Sequence, residues 1–349
     1  MFAQIEYPAR LQSEELDKYL EMGWFRMRQT IFTTNFLHFN KRFYSAIWLR
    51  VALDSSIYDK RYQKLSKLNK GFRTEIKKLG NRRVSKQQEL LYEAYRAGIS
   101  FEVSPSLQEL LIGSQAYNRF NTYEINIYDG SNLIATGFFD LGKISAAGIT
   151  CIYDPQYKKF SLGKYLMYLK MDFCKQQHLE YFYPGYVVPG YTPFDYKLEI
   201  GQTSLQYLQL STQQWLPYSP QVPVPDPLQE MLKKLIALHY HLTTKKIHNA
   251  VFYYKYFEAN LDPYYNGNDL FDYPVFLLCF PATDALYYSM VVYDVADAKY
   301  LLLQCSSFIN IGLQHDSNIF FESDLLKVES ILFATAAPEQ MGDHLAGFL

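Results

Sequence analysis

The residues whose types and spacing could do chemistry lie in one stretch, Tyr153-Asp154-Pro155-Gln156-Tyr157-Lys158-Lys159-Phe160-Ser161-Leu162-Gly163. It reads as a strand, an Asp-Pro turn and a helix that starts at Ser161 with a small residue in its first turn. The first amides of a helix lack intrahelical acceptors, and the helix dipole favours negative charge there. Such an end suits a phosphate or a carbonyl oxygen; the bland alternative is that Ser161 only caps its helix. Two other patterns carry less. His239-x-His241 with His248 resembles a metal set, but positions i and i+2 point to different helix faces, so no metal site is expected. Cys151 sits mid-strand with no His nearby in sequence and reads as a buried thiol.

The elements that must position this stretch are set by periodicity. Leu162, Tyr165, Leu166, Leu169 and Phe173 recur at helical offsets after Ser161. Upstream, Tyr123–Tyr128 alternates into an Asp129-Gly130 hairpin turn, with strands next at Leu133–Phe139 and Gly148–Tyr153. A further strand is expected at about Leu179–Val187. Strand–strand–strand–helix–strand is the order of an acyltransferase-type α/β domain. Nearer the N-terminus a helix is expected within 12–30, a strand at Ala46–Leu53, and capped helices at Ser85–Gly98 and Ser106–Ser114. Five prolines between Pro217 and Pro227 predict a stiff linker. Beyond it a helix at Leu228–Leu242 precedes strands at Pro274–Phe280, Tyr287–Tyr293 and Tyr300–Cys305. The expected organisation is a basic N-terminal region (1–100), an acyltransferase-like domain (101–216), the linker (217–227) and an acidic α+β domain (228–349).

Charge is distributed unevenly. Residues 58–86 hold eleven Lys and Arg against Asp59 and Glu75, a net of +9 in a chain whose total is −1. Residues 221–349 hold seven Lys, no Arg and fifteen acids. The basic block, with Tyr58, Tyr62 and Phe72 interleaved for base stacking, is the expected nucleic-acid footprint; a solvated helical face is the alternative. Four Cys with no C-x-x-C pair predict reduced thiols and a cytoplasmic protein. No signal peptide and no apolar run of membrane-spanning length is expected.

Several motifs then line up in order. Gly23-Trp24-Phe25-Arg26, Trp48-Leu49-Arg50-Val51, Lys60–Asn69, Asp154-Pro155 with Ser161-Leu162-Gly163 after it, Leu179–Val188 and Phe194-Asp195-Tyr196-Lys197 together resemble the aminoacyl-tRNA–protein transferases, the arginyl and leucyl transferases that tag protein N-termini. The resemblance runs from about residue 5 to 215. It implies an acetyltransferase-like (GNAT) mixed sheet with helices, which takes an aminoacyl ester from tRNA and passes it to the α-amine of an acceptor protein without a cofactor. Positioning and oxyanion stabilisation carry such a reaction, because an α-amine is partly neutral at pH 7. On this reading Asp140 and Asp154 orient the acceptor amine or take its proton. Tyr186 belongs with them in the catalytic pocket, and Tyr153, Ser161, Leu162, Gly163, Tyr196 and Lys197 bind substrate, Lys197 facing a phosphate or carboxylate. Arg61, Lys64, Lys67, Lys70 and Arg73 bind tRNA.

The sequence also departs from the family. Phe32–Ile47 contains none of the family's metal-binding Cys, so that metal site is absent. Ala147 and Thr150 stand where Ser and Tyr are expected. Two rival readings remain: an acetyl-coenzyme A-dependent N-acetyltransferase, against which Lys159–Lys164 supplies only one glycine to a pyrophosphate loop, and an inactive transferase-like module that binds tRNA or protein.

Overall fold

The structure, a computed structural model, describes residues 1–54, 57–79, 84–99, 103–115, 117–280, 287–312 and 319–347. The chain opens with β1 (Ala3–Glu6), α1 (Ser13–Glu21), β2 (Phe25–Met27), β3 (Thr30–Thr34) and a hairpin of β4 (Phe36–Phe39) and β5 (Arg42–Ser45). The helix expected within 12–30 is thus shorter: Gly23 at φ +77° turns the chain, and β2 and β3 pair antiparallel after it. At a positive φ a helix cannot continue, and only glycine adopts it without strain.

The central sheet contains β6 (Ile47–Ala52), β7 (Arg73–Lys78), β8 (Thr122–Asp129), β9 (Asn132–Leu141), β10 (Ser145–Tyr153), β11 (Tyr181–Val187), β12 (Leu205–Gln209) and β13 (Gln214–Pro217). Their order is β13-β12-β6-β11-β10-β9-β8-β7. Four helices belong to this region: α2 (Lys60–Asn69), α3 (Lys86–Ala97), α4 (Leu107–Leu111) and α5 (Leu162–Gln176). β10 and β11 pair parallel, which requires the crossover that α5 supplies. Strand alternation decides the layers. Phe139 packs with α5 residues such as Leu166 and Met171, while its neighbour Phe138 packs with Leu91 and Leu107 of α3 and α4. α5 is buried on more than its expected face: Lys170 turns onto the carbonyls of β9 and β10, and α2 covers another side through contacts such as Tyr62 on Tyr168.

The later residues form α6 (Pro227–Thr244), α7 (Pro338–Ala346) and an antiparallel sheet of β14 (Ala250–Tyr253), β15 (Val275–Phe280), β16 (Tyr287–Asp294), β17 (Lys299–Asn310) and β18 (Asp324–Thr335), in that order. Asp226 caps α6 by accepting from the Gln229 amide. The core of this region also takes in Phe2 and Phe36. The Asp272 carboxylate accepts from the amides of Phe2 and Ala3, and the Ser45 hydroxyl donates to Asp226 (2.7 Å) and accepts from the Leu228 amide (2.9 Å). The first 45 residues are therefore shared between both cores.

Candidate active site

β10 and β11 pair only over Ser145–Ala147 with Tyr181–Tyr183. Past that point each strand carries a bulge, between Gly148 and Thr150 in β10 and between Phe182 and Gly185 in β11. β10 then stays with β9 as far as Tyr153, while β11 stays with β6. The two strands splay, and the facing edge of β10 beyond the bulge has no strand partner among the described residues. A bulge bends its strand and re-aims the side chains beyond it, so the opening is built into the backbone.

Lys197 occupies this opening. It comes from a 3-10 segment, Thr192–Glu199, and its Nζ donates to the Tyr186 carbonyl at 2.7 Å. The ammonium lies 4.7 Å over the Phe194 ring and 5.2 Å over that of Tyr186, a cation–π setting. Gly185, at φ +92°, would bring a Cβ to 3.4 Å from Nζ, so glycine leaves the amine its space. Burial without a carboxylate partner lowers the Lys197 amine from 10.5 to about 7, and the field of Cys151 offsets part of this. Within the described residues the Lys197 amine thus meets the Tyr186 carbonyl.

Around it, Tyr186 packs edge-on to Trp48 (5.0 Å) and against Phe194 (5.5 Å). Burial, then the charge of Glu258, pushes the Tyr186 hydroxyl up to about 12. Tyr196 is raised by burial and by the nearness of Cys151 and Tyr95. Tyr95, from α3, also meets the Tyr153 ring at 5.6 Å. Tyr153 lies against Gly163, where a Cβ would come within 3.4 Å of the ring. The structure thus brings Tyr153, Gly163, Tyr186, Tyr196 and Lys197 to one place. Two concavities near Trp48, Leu208 and Leu210 include none of these five residues.

The other expected residues stand differently. Ser161 is exposed and left-handed (φ 52°, ψ 42°), and its side chain makes no cap to α5, a correction to the expected N-cap. Leu162 is wholly buried, so only its amide is available at the helix start. Asp154 accepts from the Gln156 amide at 2.9 Å and caps the 3-10 turn Pro155–Phe160. Asp140 lies inside β9 and not between strands. Its fully buried carboxylate pairs with Arg26 (2.9 Å) and accepts from the Thr122 hydroxyl, which fixes Arg26 in place. Phe25 beside Arg26 stacks on Trp48 at 4.0 Å. The Gly-Trp-Phe-Arg motif therefore serves packing behind the sheet.

Of the basic block, Arg61, Lys64, Lys67, Lys70 and Arg73 are exposed; Arg82 and Arg83 lie outside the described residues. The block is half helix and half edge strand, α2 and β7. It adjoins the start of α5: Asn69 donates to the Phe160 carbonyl (3.2 Å) and Phe72 meets the Phe160 ring at 4.9 Å. The rings of Tyr58, Tyr62 and Phe72 are engaged inward, Tyr58 donating to Asp172 at 2.7 Å, which corrects their expected role in base stacking.

Sequence reasoning missed Tyr95, Lys170 and Glu258. Lys170 is fully buried, and its Nζ donates to the carbonyls of Phe138 and Thr150, both at 2.8 Å, and to Cys151 Sγ at 3.3 Å. It pins the β10 bulge to β9. A lysine within an apolar helical face was the available signal.

Comparison with known proteins picks out the same segment. Residues 57–207 match the family described as "Arginine-tRNA-protein transferase, C terminus". A curated relative from Leptospira interrogans, named aspartate/glutamate leucyltransferase, is 24% identical over 204 residues, 56% of this chain and 76% of the relative. One of the same name from Campylobacter jejuni is 31% identical over 77 residues, 22% of this chain and 32% of the relative. Among solved structures, the C-terminal domain of a putative lysylphosphatidylglycerol synthetase from Agrobacterium fabrum aligns at TM-score 0.32 and 10% identity over 44% of this chain and 49% of that one, too slight a likeness to argue from. The motifs, the match over residues 57–207 and these relatives all show a likeness of the first part of the chain to the aminoacyl-tRNA–protein transferases.

Proposed function

We propose that the protein transfers an amino acid from aminoacyl-tRNA to the N-terminal amine of an acceptor protein, with the reaction at the β10–β11 splay. The observation that carries this reading is the juxtaposition of that splay, the first free amides of α5 and the exposed basic face of α2 within one family-matched segment. The bulged strand, the helix after it and the parallel strand that diverges support an acetyltransferase-like (GNAT) arrangement, with residues 101–216 as the catalytic domain and 228–349 as an acidic addition. In the reaction the acceptor nitrogen forms the new C–N bond and the ester C–O bond breaks. The proton lost by that nitrogen goes to the departing ribose oxygen. No cofactor enters this balance.

Amides at Leu162 and Gly163 and along the open edge of β10 are the assigned donors to the tRNA end or the oxyanion. Lys197 is assigned the proton relay, because an amine held at about 7 takes and gives a proton near neutrality. Tyr153, Tyr186 and Tyr196 line the pocket. Asp140 acts as a positioning residue through Arg26, and Asp154 through the turn that leads to α5. Arg61, Lys64, Lys67, Lys70 and Arg73 take the tRNA backbone. Arginyl or leucyl donors, N-end-rule tagging and a cytoplasmic location belong to this reading; no described helix is long and apolar enough to cross a membrane.

The test is incubation of the full chain with leucyl-tRNA, arginyl-tRNA or acetyl-coenzyme A and a peptide with N-terminal Asp or Glu, read by mass. Addition of one amino acid is expected, and its mass identifies the donor. An acetyl adduct would establish the acetyltransferase reading in its place, and tRNA binding without any adduct the inactive module.

A further inference from the structure

The aromatic wall of the splay does not end at Phe194. Phe194 meets Tyr191 (5.7 Å), Tyr191 meets Phe39 (4.8 Å), and Phe39 stacks on Tyr44 (4.6 Å) in the β4–β5 hairpin. All four rings are half-buried, so the series forms a path from Lys197 outward and not a sealed core. The residue before Phe39, His38, donates its amide to Glu258 Oε1 at 3.0 Å. Glu258 belongs to a 3-10 segment of the acidic region, Lys255–Leu261. Its charge adds to burial in raising the Tyr186 hydroxyl.

Glu258 has no ion-pair partner among the described residues; its neighbour Lys255 pairs instead with Glu322 at 2.8 Å. A largely desolvated carboxylate held by one amide and no cation is costly, and burial accordingly raises its carboxyl to about 7. A hairpin that carries aromatic faces and whose amide at the residue before Phe39 holds one carboxylate without an ion-pair partner offers the chemistry that receives an ammonium group: ring quadrupoles and a charge-assisted hydrogen bond can act on the same cation. A bound ammonium would supply the missing counter-ion.

We propose that Glu258 and the rings of Phe39, Tyr44 and Tyr191 bind a primary ammonium group of the substrate at the mouth of the splay. The acidic region would thereby complete the site. The inference rests on the transferase reading, which supplies two sources for the group: the α-ammonium of the aminoacyl ester and the N-terminal ammonium of the acceptor.

Binding to the full chain by calorimetry separates them. One arm compares an Asp-Ala-Ala peptide with its N-acetylated form. The other compares the 3′-amide-linked leucyl-adenosine analogue with its counterpart lacking the α-amine. Wild type is expected to prefer the amine-bearing member of at least one pair by on the order of tenfold or more. Glu258→Gln, which keeps the oxygen for the His38 amide and removes the charge, is expected to abolish that preference, and the affected arm identifies the source. Should Glu258→Gln unfold, Glu258→Asp serves instead, and its shortened carboxylate is expected to reduce the preference severalfold. A preference undiminished in a folded variant overturns this proposal alone. If wild type binds none of the four compounds, the transferase reading falls and this proposal with it.

Discussion

Lys197 is the residue on which burial acts most visibly. Its ordinary value of 10.5 is lowered to about 7, so its linkage to stability has a definite sign. Below pH 7 folded and unfolded chains both hold the ammonium, and the folded one bears the full cost of desolvating it. Between about 7 and 10.5 the folded chain has shed the proton and the unfolded chain has not, so the contribution to stability rises with pH. Lys197→Met removes this dependence. The variant's stability relative to wild type should therefore be highest at pH 6 and fall by about 2 kcal/mol between pH 7 and pH 9. Denaturant unfolding at those pH values measures it, and a stability difference flat in pH would mean that the amine is not held neutral. The sequence pointed to Lys197 through the Phe-Asp-Tyr-Lys motif, but not to what it touches. Its carbonyl partner, Tyr186, depends on the bulge in β11, and a bulge leaves no mark in a run such as Tyr181–Val187. Asp140 illustrates the reverse. A carboxylate at a strand end reads as available, and only the fold brings Arg26 to it from 114 residues away.

At the scale of elements, α2 explains how a charged run can be both a packed helix and an open surface. Asp59 caps it by accepting from the Tyr62 amide, Tyr62 packs inward on Tyr168, and Lys64, Lys67 and Lys70 remain outside. Replacing those three with Glu should leave unfolding nearly unchanged, because the sites are exposed. Binding of charged tRNA should weaken, and the slope of log Kd against log salt should drop by roughly 0.7 to 0.9 per lost phosphate contact. A filter-binding titration across salt concentrations gives the slope; an unaltered one would remove α2 from the interface. The local elements were readable because their signals are local: the Asp129-Gly130 turn, the Ser85 capping box and the apolar face of α5 all appear. Pairing was not. β6 lies between β11 and β12, far from both in sequence, and nothing in Ile47–Ala52 names those partners. The inward turn of Tyr58, Tyr62 and Phe72 was likewise hidden, since an amphipathic aromatic serves a protein core as well as a base stack.

For the whole molecule, the proline-rich stretch suggests a detachable acidic domain, but the hydrogen bonds connect what the linker would separate. Ser45 joins the β4–β5 hairpin to the start of α6 by donating to Asp226 and accepting from Leu228, and Asp272 holds the backbone of β1. Phe2 and Phe36 are buried in the later core at 2% and 0% exposure, so removal of that core would return both rings to water. Burying a Phe side chain contributes about 1.5–3 kcal/mol, a large share of the stability of an ordinary domain. A chain ending at residue 220 should therefore lose cooperative unfolding, or fold with β1 and the hairpin detached and bind a hydrophobic dye. In the intact chain Ser45→Ala should cost about 1–2 kcal/mol, because it removes one hydrogen bond and leaves the Leu228 amide without its partner. Dye binding and near-ultraviolet dichroism of the fragment, beside denaturant melts of the point variant, test both. If the fragment unfolds as cooperatively as the intact chain and binds no dye, the two cores are independent. The hairpin that presents Phe39 and Tyr44 would then owe its position to the central sheet alone.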